Sequence, residues 1–200
     1  DRMRPKPDFE QFVHILLREH GYEVTPNLIV RGKCVEHEVD AIARKDGKTY
    51  AVEVKHHFNH HALTGLDVSR IARAIFEDIT EGFKLALNSV NLDKATVISN
   101  TKYSDHAKRY GECRGIEQIG WNYPAQRGLE DMIEEKKLYP ITYLKTLDAT
   151  LRRRLAGEGI ILLKQLVTYE PESLSRRLRT SRDRVDALIE KTKVILSYNP

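Results

Sequence analysis

One dipeptide, Asp46-Gly47, constrains this chain more than any other feature, because of what flanks it. Val39, Ala41 and Ala43 alternate with charged or polar neighbours before it, and Tyr50, Val52 and Val54 do so after it. That period of two is the pattern of half-buried strands. A type I′ turn needs positive φ at both central residues, and Asp-Gly meets that need. The stretch from Cys34 to His57 is therefore expected to form a tight antiparallel hairpin. Lys45 faces Lys48 across the turn, and the same register sets Asp40 opposite Glu53 and Glu38 opposite Lys55. Side chains two apart share a face, so Glu38, Asp40, Glu53 and Lys55 are expected as one charged patch.

Two carboxylates directly opposite on a sheet, with Cβ atoms roughly 4.5–5.5 Å apart, repel one another. A divalent cation between them reverses the sign. Mg²⁺ (or Mn²⁺) takes sites with one or two carboxylates, several waters and substrate phosphate oxygens. Lys55 lies one step along the same face, within reach of such a phosphate or its attacking water. The pairing points to metal-assisted phosphodiester hydrolysis. The same Glu-x-Lys pattern also describes a solvated strand face carrying a weak ion pair.

The chain has 200 residues, enough for one or two domains, and is 40% hydrophobic and 31% charged, the composition of a soluble globular protein. No apolar run nears the roughly 18 residues of a membrane span, and no signal peptide opens the sequence. Cys34 and Cys113 are the two cysteines; a reduced, cytoplasmic setting is expected for them. A pI near 9.0 is compatible with a nucleic-acid partner.

Asp1 to Pro7 is basic, has two prolines, and is expected as a linker or cut end. Asp8 suits the N-cap of a helix to about His20, with Phe9, Phe12, Val13, Leu16 and Leu17 on one stripe and Gly21 as its stop. Glu10 sits in the first turn, where the helix dipole favours it. Tyr22 to Val30 is expected as a strand weakened by Pro26. After the hairpin, HHFNHH (56–61) is expected as a loop; a zinc site needs defined spacing and partners elsewhere, so structural or incidental roles are expected for these histidines, with His57 the exception that continues the face of Glu53 and Lys55. Leu66 to Leu87 reads as a long amphipathic helix, Ala95 to Ser99 as a buried strand, Ser104 to Cys113 as a helix ended by Gly115, and Ile116 to Trp121 as a last strand. The order predicts an α/β fold with a mixed sheet flanked by helices.

These residues resemble the PD-(D/E)xK nuclease superfamily, specifically the Mrr-type restriction endonucleases and the archaeal Holliday-junction resolvases. The resemblance rests on Phe9-Glu10, Gly21-Tyr22, Glu38-Val-Asp40, Glu53-Val-Lys55, His57, SNTKYSDHA (99–107) and IGWNYP (119–124), and covers residues 8–140. It implies a restriction-endonuclease-like nuclease domain in which Asp40, Glu53 and the carbonyl of Val54 bind Mg²⁺. It further implies that Lys55 serves the water and that Glu10 supports the metal; the hairpin register, independently, places Glu38 beside Lys55 in a supporting role. Val39 stands where many members carry proline. Relatives often bear an upstream ATP-binding cone domain, so ATP is expected only for a longer natural chain.

From Tyr139-Pro140 the texture changes. Residues 1–140 hold 21 Lys+Arg against 22 Asp+Glu, and residues 141–200 hold 12 against 7, so the net charge moves from −1 to +5. Short helices are expected at 143–155, 160–169, 171–178 and 182–196, with Pro171 at an N1 position and Ser181 as a cap. This small all-helical C-terminal domain resembles a helix-hairpin-helix module that grips DNA, here through Arg152, Arg153, Arg154, Arg176, Arg177 and Arg179. Arg179-Thr180-Ser181 stands where such hairpins usually keep glycine. The expected protein is a metal-dependent DNA endonuclease, a homodimer if it cuts both strands. Its rivals are a catalytically silent module that binds DNA or senses DNA structure, and a nuclease whose C-terminal helices bind protein instead of DNA.

Overall fold

The computed structural model describes residues 8–197; the linker expected at 1–7 lies outside the described residues, as does the side chain of the expected cap Asp8. The chain forms two compact units, the larger ending at Met132 and the smaller beginning at Ile133. The larger unit opens with helix α1 (Asp8–Glu19), whose Phe12, Val13, Leu16 and Leu17 are buried, and Gly21 at φ 83° turns the chain into β1 (Glu23–Arg31). Strands β2 (Glu36–Lys45) and β3 (Lys48–Lys55) follow, joined by Asp46 at φ 50° and Gly47 at φ 73°. Both central residues have the positive φ of a type I′ turn, as the dipeptide predicts. Helix α2 (Leu66–Lys84), β4 (Lys94–Ser99), α3 (Asp105–Arg114), β5 (Glu117–Ile119) and α4 (Leu129–Glu135) complete the order.

The five strands lie in sequence order as one mixed sheet: β1, β2 and β3 are antiparallel, while β3–β4 and β4–β5 are parallel. Parallel neighbours need crossovers, and α2 and α3 are those crossovers. Pro26 is tolerated because β1 is an edge strand. Ser104 caps α3 by accepting from the Ala107 amide, and Gly115 ends it in the left-handed conformation at φ 67°. Helix α4 is absent from the sequence reading. It spans seven residues, and its local sign is Asp131, whose carboxylate accepts from the Gly128 amide at 2.7 Å.

The hairpin register holds from Lys45↔Lys48 to Ala41↔Val52 and the ladder ends there. The expected rungs Asp40–Glu53 and Glu38–Lys55 are not formed. Glu38 pairs with Ile29 of β1, and Lys55 with Ser99 of β4. The β1–β2 ladder also breaks at this point: Pro26↔Ala41 and Leu28↔Val39 are rungs, but the one between Asn27 and Asp40 is skipped, and Asn27 has φ 51°. Val39 and Ile42, three apart, both enter the cluster of Val30, Ala51, Ile79 and Leu92. Regular alternation would send them to opposite faces. The period of two is thus interrupted at Asp40-Ala41, and a single flat patch of Glu38, Asp40, Glu53 and Lys55 does not form.

The smaller unit is helical. A 3-10 turn (Ile141–Tyr143) precedes α5 (Ala149–Gly157), α6 (Leu163–Leu166), α7 (Pro171–Leu178) and α8 (Arg182–Ser197). Their core includes Leu151, Leu155, Leu163, Leu174, Leu178 and Val185. Pro171 is the first residue of α7, and Asp148 caps α5 by accepting from the Leu151 amide.

Candidate active site

Asp40 lies in β2 at a position for which neither ladder assigns a facing residue. Its carboxylate Oδ2 accepts from the Val54 amide at 2.7 Å, within a buried contact. Val54 lies between Glu53 and Lys55, so the aspartate is fastened to the middle of the Glu-x-Lys segment. Asp40 itself is 4% exposed. Burying a carboxylate this deeply is tolerated only where hydrogen bonds compensate it. On the other side, His14 of α1 donates from Nε2 to the Asp40 carbonyl at 3.1 Å. Burial pushes the His14 imidazole below its usual pKa, against the opposing charges of Glu10 and Asp40. Glu10, one helical turn before His14, is buried as well.

Glu53 is half-buried and shares a shallow pocket with Glu38, Val39, Ala72 and Ile75, beneath α2. Glu38 is exposed. The structure thus joins Asp40 to Val54 by a hydrogen bond and Glu38 to Glu53 by a common pocket; it does not set Glu38 facing Lys55. Among the described residues no three His, Cys, Asp or Glu side chains converge to enclose a metal. Asp40, bonded to the Val54 amide, and Glu53, the residue before Val54, each offer carboxylate oxygens; donors of that kind would suit a hard cation that keeps most of its waters, and not a closed cage of nitrogen or sulfur ligands.

Lys55 leaves the end of β3 half-buried, and the chain beyond it is pinned by a residue the sequence reading did not single out. Asn100, just after β4, accepts from the His57 amide at 2.7 Å and donates to the His57 carbonyl at 2.8 Å. The Asn100 amide also points to the Lys55 carbonyl at 3.4 Å. Burial, with the charges of Lys55 and His56, pushes the His57 pKa down. The loop is tied again at Thr64, whose hydroxyl lies 2.6 Å from that of Ser99 and 3.0 Å from that of Thr101. His56 packs between Phe9 and Phe58, at 5.3 and 5.6 Å between ring centres, while His60 and His61 are exposed. Both cysteines are free and exposed.

In the helical unit most of the singled-out arginines have work inside the unit. Arg154 donates to the carbonyls of Leu178 and Arg179 at 2.7 and 2.8 Å, closing the end of α7. Arg152 reaches the Leu147 carbonyl at 3.4 Å, Arg176 pairs with Glu172 at 3.5 Å, and Arg177 with Glu158 at 3.3 Å. Arg153 and Arg179 make no side-chain hydrogen bond or ion pair among the described residues. Arg179 takes φ 46° and ψ 53°, the left-handed conformation that glycine usually fills after a helix.

Comparison with known proteins agrees with this division. A family model described as a restriction endonuclease, of the Mrr catalytic type, matches residues 1–119, and a second, described as AF1548-like, C-terminal, matches residues 139–196. An uncharacterized protein of Archaeoglobus fulgidus is 36% identical over 181 residues, covering 90% of this chain and 98% of its own. A crystal structure titled as a protein of unknown function, AF1548, superposes with a TM-score of 0.76 at 34% identity, covering 96% of this chain and 98% of that one. No described helix is long and apolar enough to cross a membrane. With the restriction-endonuclease match spanning more than half of its length, this chain belongs to the Mrr-type restriction endonuclease family.

Proposed function

We propose that the protein is a DNA endonuclease that hydrolyses phosphodiester bonds with Mg²⁺ or Mn²⁺, in restriction, repair or recombination. The observation that carries this reading is the Asp40 carboxylate held on the Val54 amide, between Glu53 and Lys55. Asp40 and Glu53, with the Val54 carbonyl, hold the cation, and Glu10 and Glu38 add negative charge around them. When bound, the cation neutralises charge on the scissile phosphate and acidifies a water. Lys55 holds the phosphate or the water by a charge-assisted hydrogen bond. Asn100 keeps the backbone from which Lys55 projects in one path. One chain carries one such set, so cutting both antiparallel strands of a duplex takes two copies.

The test is a cleavage assay with and without Mg²⁺ or Mn²⁺, alongside thermal denaturation. Either cation should raise the transition temperature by mass action. Asp40→Asn should remove both that rise and the cleavage while the protein stays folded. Normal cleavage by the variant would take Asp40 out of the site.

For the helical unit, DNA binding rests on its net positive charge and on Arg153 and Arg179. A protein-binding role is favoured by a different observation: Arg152, Arg154, Arg176 and Arg177 are engaged within the unit, and Tyr143 and Val194 are exposed apolar side chains.

A further inference from the structure

We propose that Phe58 selects the substrate: its ring stacks on an unpaired base close to the phosphate that is cut, so that the preferred DNA carries such a base and is not a continuous duplex. This rests on the DNA reading of the same site given above and adds the class of DNA that the site takes.

Single exposed apolar side chains are ordinary on protein surfaces. Phe58 stands apart by what lies beneath it and beside it. Its ring is 64% exposed, although a T-shaped contact joins it to His56 at 5.6 Å between centres and 78° between planes. His56 is half-buried and in turn meets Phe9, itself buried, at 5.3 Å. Three rings therefore run in series from the core of the larger unit to solvent. In a T-shaped pair the edge of one ring meets the face of the other, so His56 covers at most one face of Phe58. The backbone carrying the ring is tied on both sides. His57 donates its amide to the Asn100 side chain at 2.7 Å, and its carbonyl accepts from that side chain at 2.8 Å. Asn59 accepts from the Ala62 amide at its carbonyl, 2.9 Å away, and from the His61 amide at its side chain, 3.0 Å away. A ring with two torsions on such a backbone leaves little conformational freedom for binding to remove.

Position and charge identify what this ring meets. Phe58 is three residues beyond Lys55, so their Cα atoms are at most about 11 Å apart. That is about three steps of a stacked strand, at roughly 3.4 Å each. No acidic residue stands between Glu53 and Asp67, a stretch that holds Lys55 and the four histidines. An open aromatic face beside a cationic side chain is the combination that binds single-stranded nucleic acid, because every base has a π face to stack on. In a continuous duplex those faces are covered by neighbouring bases, and unstacking them to admit a ring costs free energy. A base at a mismatch, bulge, gap or branch is exposed at less cost.

The experiment measures binding of the full chain to two duplexes of one sequence, the first fully paired and the second with a single unpaired 2-aminopurine. Fluorescence anisotropy without divalent cation reads binding apart from cleavage. The unaltered protein should favour the bulged DNA by about fivefold or more, the lower end for stacking one base on an aromatic ring, and should quench the 2-aminopurine. Phe58→Ala and Phe58→Leu should lose both the preference and the quenching, yet bind the paired duplex within about threefold of the unaltered protein. Phe58→Trp should keep both. Leucine is apolar without a π face, so it separates stacking from simple apolar contact. Equal affinity of the unaltered protein for the two duplexes would overturn the inference, as would a preference that survives Phe58→Ala or Phe58→Leu. If Phe58→Ala instead yields smaller species in sedimentation and leaves the preference intact, the ring joins copies of the chain and the inference falls. Bulged DNA preferred through Phe58, with neither duplex cut in Mg²⁺ or Mn²⁺, would end the nuclease reading and leave this inference standing. Cleavage of both duplexes at one rate, with or without Phe58, would do the opposite. A protein that binds neither duplex overturns the inference outright.

Discussion

Lys55 and Glu38 were expected as facing partners, and their separation changes what each substitution should do. Lys55 ends β3 beside Ser99 and next to the Asn100 clamp, whereas Glu38 is exposed, pairs with Ile29 and shares a pocket wall with Glu53. Lys55→Ala should lower the cleavage rate by about 100-fold or more, the scale of removing one group that stabilises developing charge. It should leave metal affinity equal or improved, since a positive charge near the cation is lost. Glu38→Gln should reduce turnover by less than about tenfold, consistent with a charge that acts from solvent, and should spare metal binding. Single-turnover rates measured across a metal titration separate the two effects. Loss of metal binding in Glu38→Gln would make Glu38 a ligand.

The elements that frame the site depend on how α2 meets the β1–β2 turn. Asp78 of α2 accepts from His37 Nε2 at 2.8 Å, from the Cys34 amide at 2.9 Å and from the Val35 amide at 3.3 Å. The His37 hydrogen bond first, then those amides, hold its carboxyl well below the usual 3.8. A depressed folded-state pKa gives stability that is full above the ordinary carboxylate value and is lost as pH falls through the depressed one. Melting temperatures between pH 2 and 5 should therefore drop less steeply in Asp78→Asn than in the unaltered protein, from a lower starting point. One turn further along α2, a Cβ on Gly82 would meet the Gly32 carbonyl carbon at 2.8 Å and the Arg31 carbonyl oxygen at 2.9 Å. Both obstacles are backbone, so Gly82→Ala should cost about 1–3 kcal/mol in denaturant unfolding. An unchanged midpoint would mean that the helix moves away from the turn without penalty.

For the molecule as a whole, charge and structural duty must be told apart in the helical unit. Arg154 should behave as a structural residue: Arg154→Ala strips two carbonyls at the end of α7 of a charged donor. It should destabilise the protein by about 1.5–3 kcal/mol while changing the salt dependence of DNA binding little. Arg153→Ala with Arg179→Ala should do the reverse. If each arginine meets one phosphate, the slope of log K against log salt falls by about 0.9 for each removed. A slope unaltered in the double variant would favour the protein-binding reading of the unit. Arg179→Gly separates the two roles within one residue. Glycine relieves the left-handed backbone, for a gain of about 0.5–1 kcal/mol, and removes the charge.

Asp46-Gly47, the alternation on either side of it, the helix stop at Gly115 and Pro171 at the first position of its helix all made themselves legible because they act over a few residues. Turn sterics, capping bonds and amphipathic spacing are local, and they sufficed for a mixed sheet flanked by helices and for the hairpin register as far as Ala41↔Val52. They also brought Asp40, Glu53 and Lys55 into one neighbourhood. Where the register ends was a tertiary matter: beyond Ala41↔Val52 the Asp40 carbonyl meets His14 on a helix 26 residues away, and Asn27 on the neighbouring strand has φ 51°. The same holds for Asn100, 43 residues from the loop it clamps, and for Arg154, which caps a helix end 24 residues downstream. A single local pattern cannot announce a hydrogen bond whose partner is placed by the packing of another element. Candidate residues could be proposed from the chain; the hydrogen bonds made by Asp40 and Asn100 arise only where distant segments meet.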